Sequence, residues 1–281
     1  MFVWHEYENA AEAAQSLADA VADALQGALD EKGGAVLAVS GGRSPIAFFN
    51  ALSQKDLDWK NVGITLADER IVPTVHADSN TGLVREYLLK NKAEAAMWIP
   101  MVEDGKTETE LHPDAVVDYA LKHYKQPDVL VLGMGNDGHT ASIFPKAPQF
   151  QTAIDGSAGV ALVHTTPVTA PHERVSMTLD AIAHTGHVFL AIRGEEKKSR
   201  VRPSRTRRKP RISDQPRFEP SRSELPCLLR RINKPDIPDW SPISAGRMHA
   251  LRWKPRRASL KKPPCFRVKT TIRLPMRCVP I

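Results

Sequence analysis

Over residues 1–198 the sequence predicts an α/β fold, a doubly wound and mainly parallel sheet with helices on both faces. Three features predict it. Strand-length apolar runs alternate with segments of helical period. Several of those runs are continuously apolar, as strands buried on both faces are. Glycine-rich or charged segments directly follow the strands, at the carboxyl ends where ligands bind in such sheets.

Phe2–Tyr7 reads as a short strand. From Asn9 to about Glu31 apolar residues recur at Ala13, Leu17, Val21, Leu25 and Leu29, a helix stopped by Gly33-Gly34. Ala35–Ser40 is a buried strand ended by Gly41-Gly42, and Pro45 suits the first turn of a helix over Ile46–Leu52. Val62–Ala67 is a strand running into Asp68-Glu69-Arg70. A helix over Asn80–Lys90 can be capped by Asp78 or Ser79. Met97–Pro100 reads as a strand, Thr107–Tyr124 as a helix, and Val129–Leu132 as a strand ending in Gly133-Met134-Gly135. Val160–Thr165 and His187–Ile192 are further strands.

The composition breaks near residue 199. Residues 1–199 carry 16 Lys+Arg against 27 Asp+Glu, and residues 200–281 carry 23 against 5, so the net charge of +7 belongs to the tail. The tail also holds 13 of the 22 prolines, one of the 16 glycines and all three cysteines, Cys227, Cys265 and Cys278. A folded part without cysteine has no disulfide framework, and the tail cysteines lack metal-ligand spacing. No basic-then-apolar leader opens the chain and no run reaches the ~18 apolar residues of a membrane span. A cytoplasmic protein with no membrane partner is expected, and no nucleic-acid partner for the folded domain.

Three loops carry the chemistry. Ser40-Gly41-Gly42-Arg43-Ser44-Pro45 joins a strand to a helix start, where backbone N–H groups can cradle an anion. A tight turn is the simpler reading of that loop. In the second loop Arg70 can hold a phosphate beside Asp68 and Glu69, unless the triplet is only a surface ion pair. The third, Gly133-Met134-Gly135-Asn136-Asp137-Gly138-His139-Thr140, places a carboxylate two residues from a histidine. A neutral His near pKa ~6.5 suits a general base, and a carboxylate can orient it. No metal-ligand spacing, dinucleotide fingerprint or nucleoside-triphosphate loop is present, so no metal and no cofactor are expected.

SGGRSP, ADERIVP with HADSNTGLVREYLL, LGMGNDGHTASIFP and PHERVSMTLDAI, with Gly194-x-x-Lys197, together resemble the 6-phosphogluconolactonases of the hexosamine-phosphate isomerase superfamily. The likeness runs to about Lys198. It implies a Rossmann-like fold and hydrolysis of 6-phosphoglucono-δ-lactone in the oxidative pentose phosphate pathway. It implies His139 as the base that activates water and Asp137 as the group that positions His139 or substrate hydroxyls. For substrate and phosphate it implies Ser40, Gly41, Gly42, Arg43, Ser44, Asp68, Arg70, Arg174 and Lys197, although at position 43 the family commonly has a small hydroxyl residue. Two alternatives stand beside it: a hexosamine-6-phosphate isomerase/deaminase, and an inactive sugar-phosphate-binding relic with a polyanion-binding tail. The deaminases carry a catalytic Glu after the Gly-His segment, whereas Thr140-Ala141-Ser142-Ile143-Phe144-Pro145 has none. The resemblance also implies a last helix and strand that residues 199–281 do not spell out. That tail is expected to be disordered, through a shifted reading frame more than as a basic nucleic-acid-binding extension.

Overall fold

The structure, a computed structural model, describes residues 3–157, 159–168 and 170–201. The expectations for the tail, residues 199–281, lie outside the described residues except for 199–201, which end a helix.

Helix α1 (Ala10–Lys32) starts where the Asn9 side chain accepts the Ala11 N–H at 2.8 Å and ends where Gly33 turns left-handed at φ 71°. Its apolar stripe, Ala14, Ala18, Val21 and Leu25, is buried in the core with Phe48 and Phe49 of α2 (Ile46–Leu52). Strands β1 (Ala35–Val39), β2 (Val62–Leu66), β4 (Met97–Trp98), β5 (Val129–Leu132) and β8 (His187–Leu190) form a parallel sheet in the order β4-β2-β1-β5-β8. Every residue of β2 and β5 is buried, which is why these strands read as unbroken apolar runs. From β1 the chain builds outward to β2 and β4, then crosses to β5 on the other side. The crevice beyond the ends of β1 and β5 is therefore the topological switch point.

A second sheet departs from the sequence expectation. Asp68–Arg70 is itself a strand, β3, antiparallel to β7 (Arg174–Met177), which pairs with β6 (Leu162–Thr165). Val160–Thr165 was expected as one more strand of a mainly parallel array; its strand portion belongs to this small antiparallel sheet. The two sheets share the peptide of Ala67, whose N–H donates to Val39 O at 2.8 Å while its carbonyl accepts from Met177 N at 2.9 Å.

The remaining helices are α3 (Asn80–Tyr87), α4 (Pro113–His123), α5 (Phe150–Ile154), α6 (Leu179–Ala183) and α7 (Glu195–Val201). The helix expected over Thr107–Tyr124 is split, because Pro113 lacks a donor N–H and takes the first helical position of α4, leaving a 3₁₀ turn at Glu108–Glu110. The expected N-terminal strand reduces to a single bridge at Trp4. Helix α7 runs through the expected boundary at 198 to Val201, which is buried in the core. Among the described residues, β8 is an edge strand and no helix is long and apolar enough to cross a membrane.

Candidate active site

A cavity of about 260 Å³ opens at the switch point. Ser40, Gly41, Ser44 and Pro45 line it from the segment after β1, Asp68 and Arg70 from β3, and Gly133, Met134, Gly135, His139 and Ala141 from the loop after β5. Arg193 and Lys197, beyond β8, complete a wall that carries three cationic side chains and one carboxylate.

His139 is held from three sides. Its Nδ1 lies 2.5 Å from Asp137 Oδ1. A carboxylate can only accept, so Nδ1 carries the proton and the lone pair is left on Nε2. The ring packs against Phe144 at 4.3 Å between centroids, with 42° between the planes. Beneath it lies Gly135, where a Cβ would fall 2.2 Å from His139 Cε1. Glycine is required there by close approach, and the loop closes with Gly135 N–H donating to His139 O at 2.8 Å. Burial pushes the Asp137 carboxyl up, but the adjacent His139 and its hydrogen bonds outweigh this and leave it below the ordinary carboxylate range.

The β3 end is tied to both other loops. Ser142 Oγ donates to Asp68 Oδ2 at 2.5 Å, which fixes the His139 loop to β3 just after Ala141, itself at φ 48°. Glu69 points inward, not to the surface. Its carboxylate accepts from Arg70 N at 2.6 Å, Asn80 N at 2.8 Å, Thr81 N at 2.7 Å, Thr81 Oγ1 at 2.8 Å and Ser79 Oγ at 3.1 Å. Burial pushes this carboxyl up, and the surrounding donors oppose the rise. Asn80, positioned in this way, lies against Gly41, where a Cβ would meet its Oδ1 at 1.9 Å. The first glycine of the loop after β1 is thus needed to admit a side chain.

Residues 8–221 match the family described as glucosamine-6-phosphate isomerases/6-phosphogluconolactonase. A 6-phosphogluconolactonase of Pseudomonas aeruginosa is 44% identical over 190 residues, 67% of this chain and 79% of that protein. The chain belongs to this family. A solved Neisseria gonorrhoeae structure provisionally named 6-phosphogluconolactonase is 96% identical, with a TM-score of 0.70 over 71% of this chain and 87% of that one. A 6-phosphogluconolactonase structure from Shewanella baltica is 38% identical, with a TM-score of 0.64 over 71% of this chain and 84% of that one.

Of the residues that the resemblance to the family singles out, the fold brings Ser40, Gly41, Ser44, Asp68, Arg70, His139 and Lys197 onto one wall. Asp137 stands behind His139. Gly42 provides the turn at φ 89° without lining the cavity, and Arg43 is exposed and off the wall. Arg174 is buried beside Arg70 across the β3–β7 pair, and its guanidinium donates to His172 O at 3.3 Å. Burial, reinforced by the neighbouring Arg70 charge, pulls its pKa down. Sequence reasoning missed Arg193, Asn80 and Ser142. The signal available for Arg193 was its place directly after the last apolar strand. Ser40 Oγ is buried on the cavity side of β1 without a partner among the described residues, which suits it to a ligand hydroxyl or phosphate oxygen.

Proposed function

We propose that the chain hydrolyses 6-phosphoglucono-δ-lactone to 6-phosphogluconate, with His139 as general base. The observation that carries this reading is His139, backed by Asp137 at 2.5 Å, on the wall of a cavity that also presents Arg70, Arg193 and Lys197. His139 Nε2 takes a proton from water as the oxygen attacks the lactone carbonyl. The tetrahedral intermediate then expels the ring oxygen, which recovers that proton from the imidazolium, and the product is an open hydroxy acid. Asp137 holds the reactive tautomer and stabilises the imidazolium. Arg70, Arg193, Lys197 and the hydroxyls of Ser40 and Ser44 take the phosphate and sugar oxygens.

All of these residues precede residue 198, so the same reading assigns the chemistry to 1–198, with α7 extending that unit to Val201, and leaves 202–281 outside it. The test is hydrolysis of freshly generated lactone by the full chain, with the spontaneous rate subtracted. A folded protein that adds nothing to the spontaneous rate refutes the proposal.

Gly135→Ala is a sharper probe of the geometry. The added methyl must displace the imidazole, and a displacement of about 1 Å can cost about 10²-fold in rate. The expected result is a fall in kcat of that order in a variant that is still folded at the assay temperature. An unaltered kcat would show that the ring position does not matter.

A further inference from the structure

A second cluster of ligating side chains lies outside the cavity wall. His76 and Asp78, in the segment leading into α3, meet His172, which precedes β7. One ligand atom from each lies within 4.8 Å of the others. His172 Nε2 donates to Asp78 Oδ2 at 3.0 Å, and the rings of His76 and His172 meet edge to face at 5.4 Å. The backbone presets this meeting. Ser79 N–H donates to His76 O at 2.9 Å, Asp78 N–H donates to His76 Nδ1 at 3.1 Å, and His172 sits at φ 68°. The segment carbonyls are also held from below, Asp78 O by the Arg70 guanidinium and His172 O by that of Arg174.

We propose that His76, Asp78 and His172 form a three-ligand site for a divalent transition cation of the zinc type. Two imidazoles and one carboxylate match zinc's preference for nitrogen with a carboxylate oxygen, and they are too few and too nitrogen-rich for magnesium or calcium. Tetrahedral coordination at bond lengths of about 2.0–2.1 Å needs ligand atoms about 3.4 Å apart. The His172–Asp78 pair stands at 3.0 Å and needs to open by about 0.4 Å as the Nε2 proton leaves that nitrogen for Nδ1 or solvent, and the exposed His76 and Asp78 side chains have the freedom to close the rest. Three protein ligands leave a fourth position to water. An ion there would tie the segment before α3 to the segment before β7, one hydrogen bond from the Arg70 that lines the cavity.

The test is zinc titration by calorimetry on the full chain with Cys227, Cys265 and Cys278 alkylated. Wild type, His76→Ala and His172→Asn are compared, and asparagine is chosen because it tolerates a positive φ. Each variant should lose one zinc equivalent, or bind it at least about tenfold more weakly, since even outer-shell changes cost 10–100-fold at metal sites. Calcium and magnesium should give no heat at that site. Wild type that binds no zinc overturns the proposal, as do variants that bind like wild type or a loss confined to one of them. None of these outcomes depends on lactone hydrolysis.

Discussion

His139→Ala will lower kcat for lactone hydrolysis by about 10²–10⁴-fold, the range that a positioned general base supplies. At 1.36 kcal/mol per decade this is about 3–5 kcal/mol of transition-state stabilisation. The structure gives three reasons to place so much on one side chain. The ring faces the cavity, its tautomer is set by Asp137, and Phe144 and Gly135 fix its plane. The side chain is only a quarter exposed and packs on Phe144, so the melting temperature is measured beside kcat, and the kinetic loss is read at a temperature where the variant is folded. KM should move little, because the base acts on water and not on the phosphate. A variant with full kcat removes His139 from the chemistry. One with raised KM and normal kcat makes it a binding residue.

Glu69→Gln will destabilise the fold nearly as much as Glu69→Ala, by about 3–5 kcal/mol, because both leave buried donors without acceptors. The usual view of glutamine as a mild replacement fails here. Oε1 accepts from two backbone N–H groups and Oε2 from one backbone N–H and two hydroxyls. Whichever oxygen becomes NH₂ then points hydrogens at hydrogens. In a domain of this size 1 kcal/mol is worth about 2–4 °C, so a fall in Tm of roughly 10 °C is expected. Urea unfolding of the two variants beside wild type would measure it. A glutamine variant within 0.5 kcal/mol of wild type, the scatter of about ±0.5 kcal/mol usual for surface changes, would show that the carboxylate's donors can turn elsewhere.

The parallel sheet was legible because β1, β2 and β5 are covered on both faces and so spell their burial residue by residue. The antiparallel sheet was not. Asp68-Glu69-Arg70 is polar and three residues long, and only its pairing with Arg174–Met177, far along the chain, makes it a strand. The same distance hid the work of Glu69, whose partners Ser79, Asn80 and Thr81 come a whole loop later. His139 and Asp137 were readable because both sit in one short loop. Arg193 carried no local signal beyond following a strand, and the meeting of His172 with His76 and Asp78 is made by the fold alone. The resemblance to known lactonases supplied Arg174 as a phosphate contact; in the fold it is buried beside Arg70, its cross-strand partner, with its guanidinium on the His172 carbonyl.

The peptide of Ala67 bonds to one sheet through its nitrogen and to the other through its oxygen. Neither sheet can open at this seam without breaking a bond to the other, so the two should unfold as one unit. In deuterated buffer the amide hydrogens of Ala67 and Met177 should be among the last to exchange, at the rate of global unfolding. The cationic arm on β3 and the imidazole beyond β5 would then keep their spacing through every smaller opening of the molecule, without a lid to hold them.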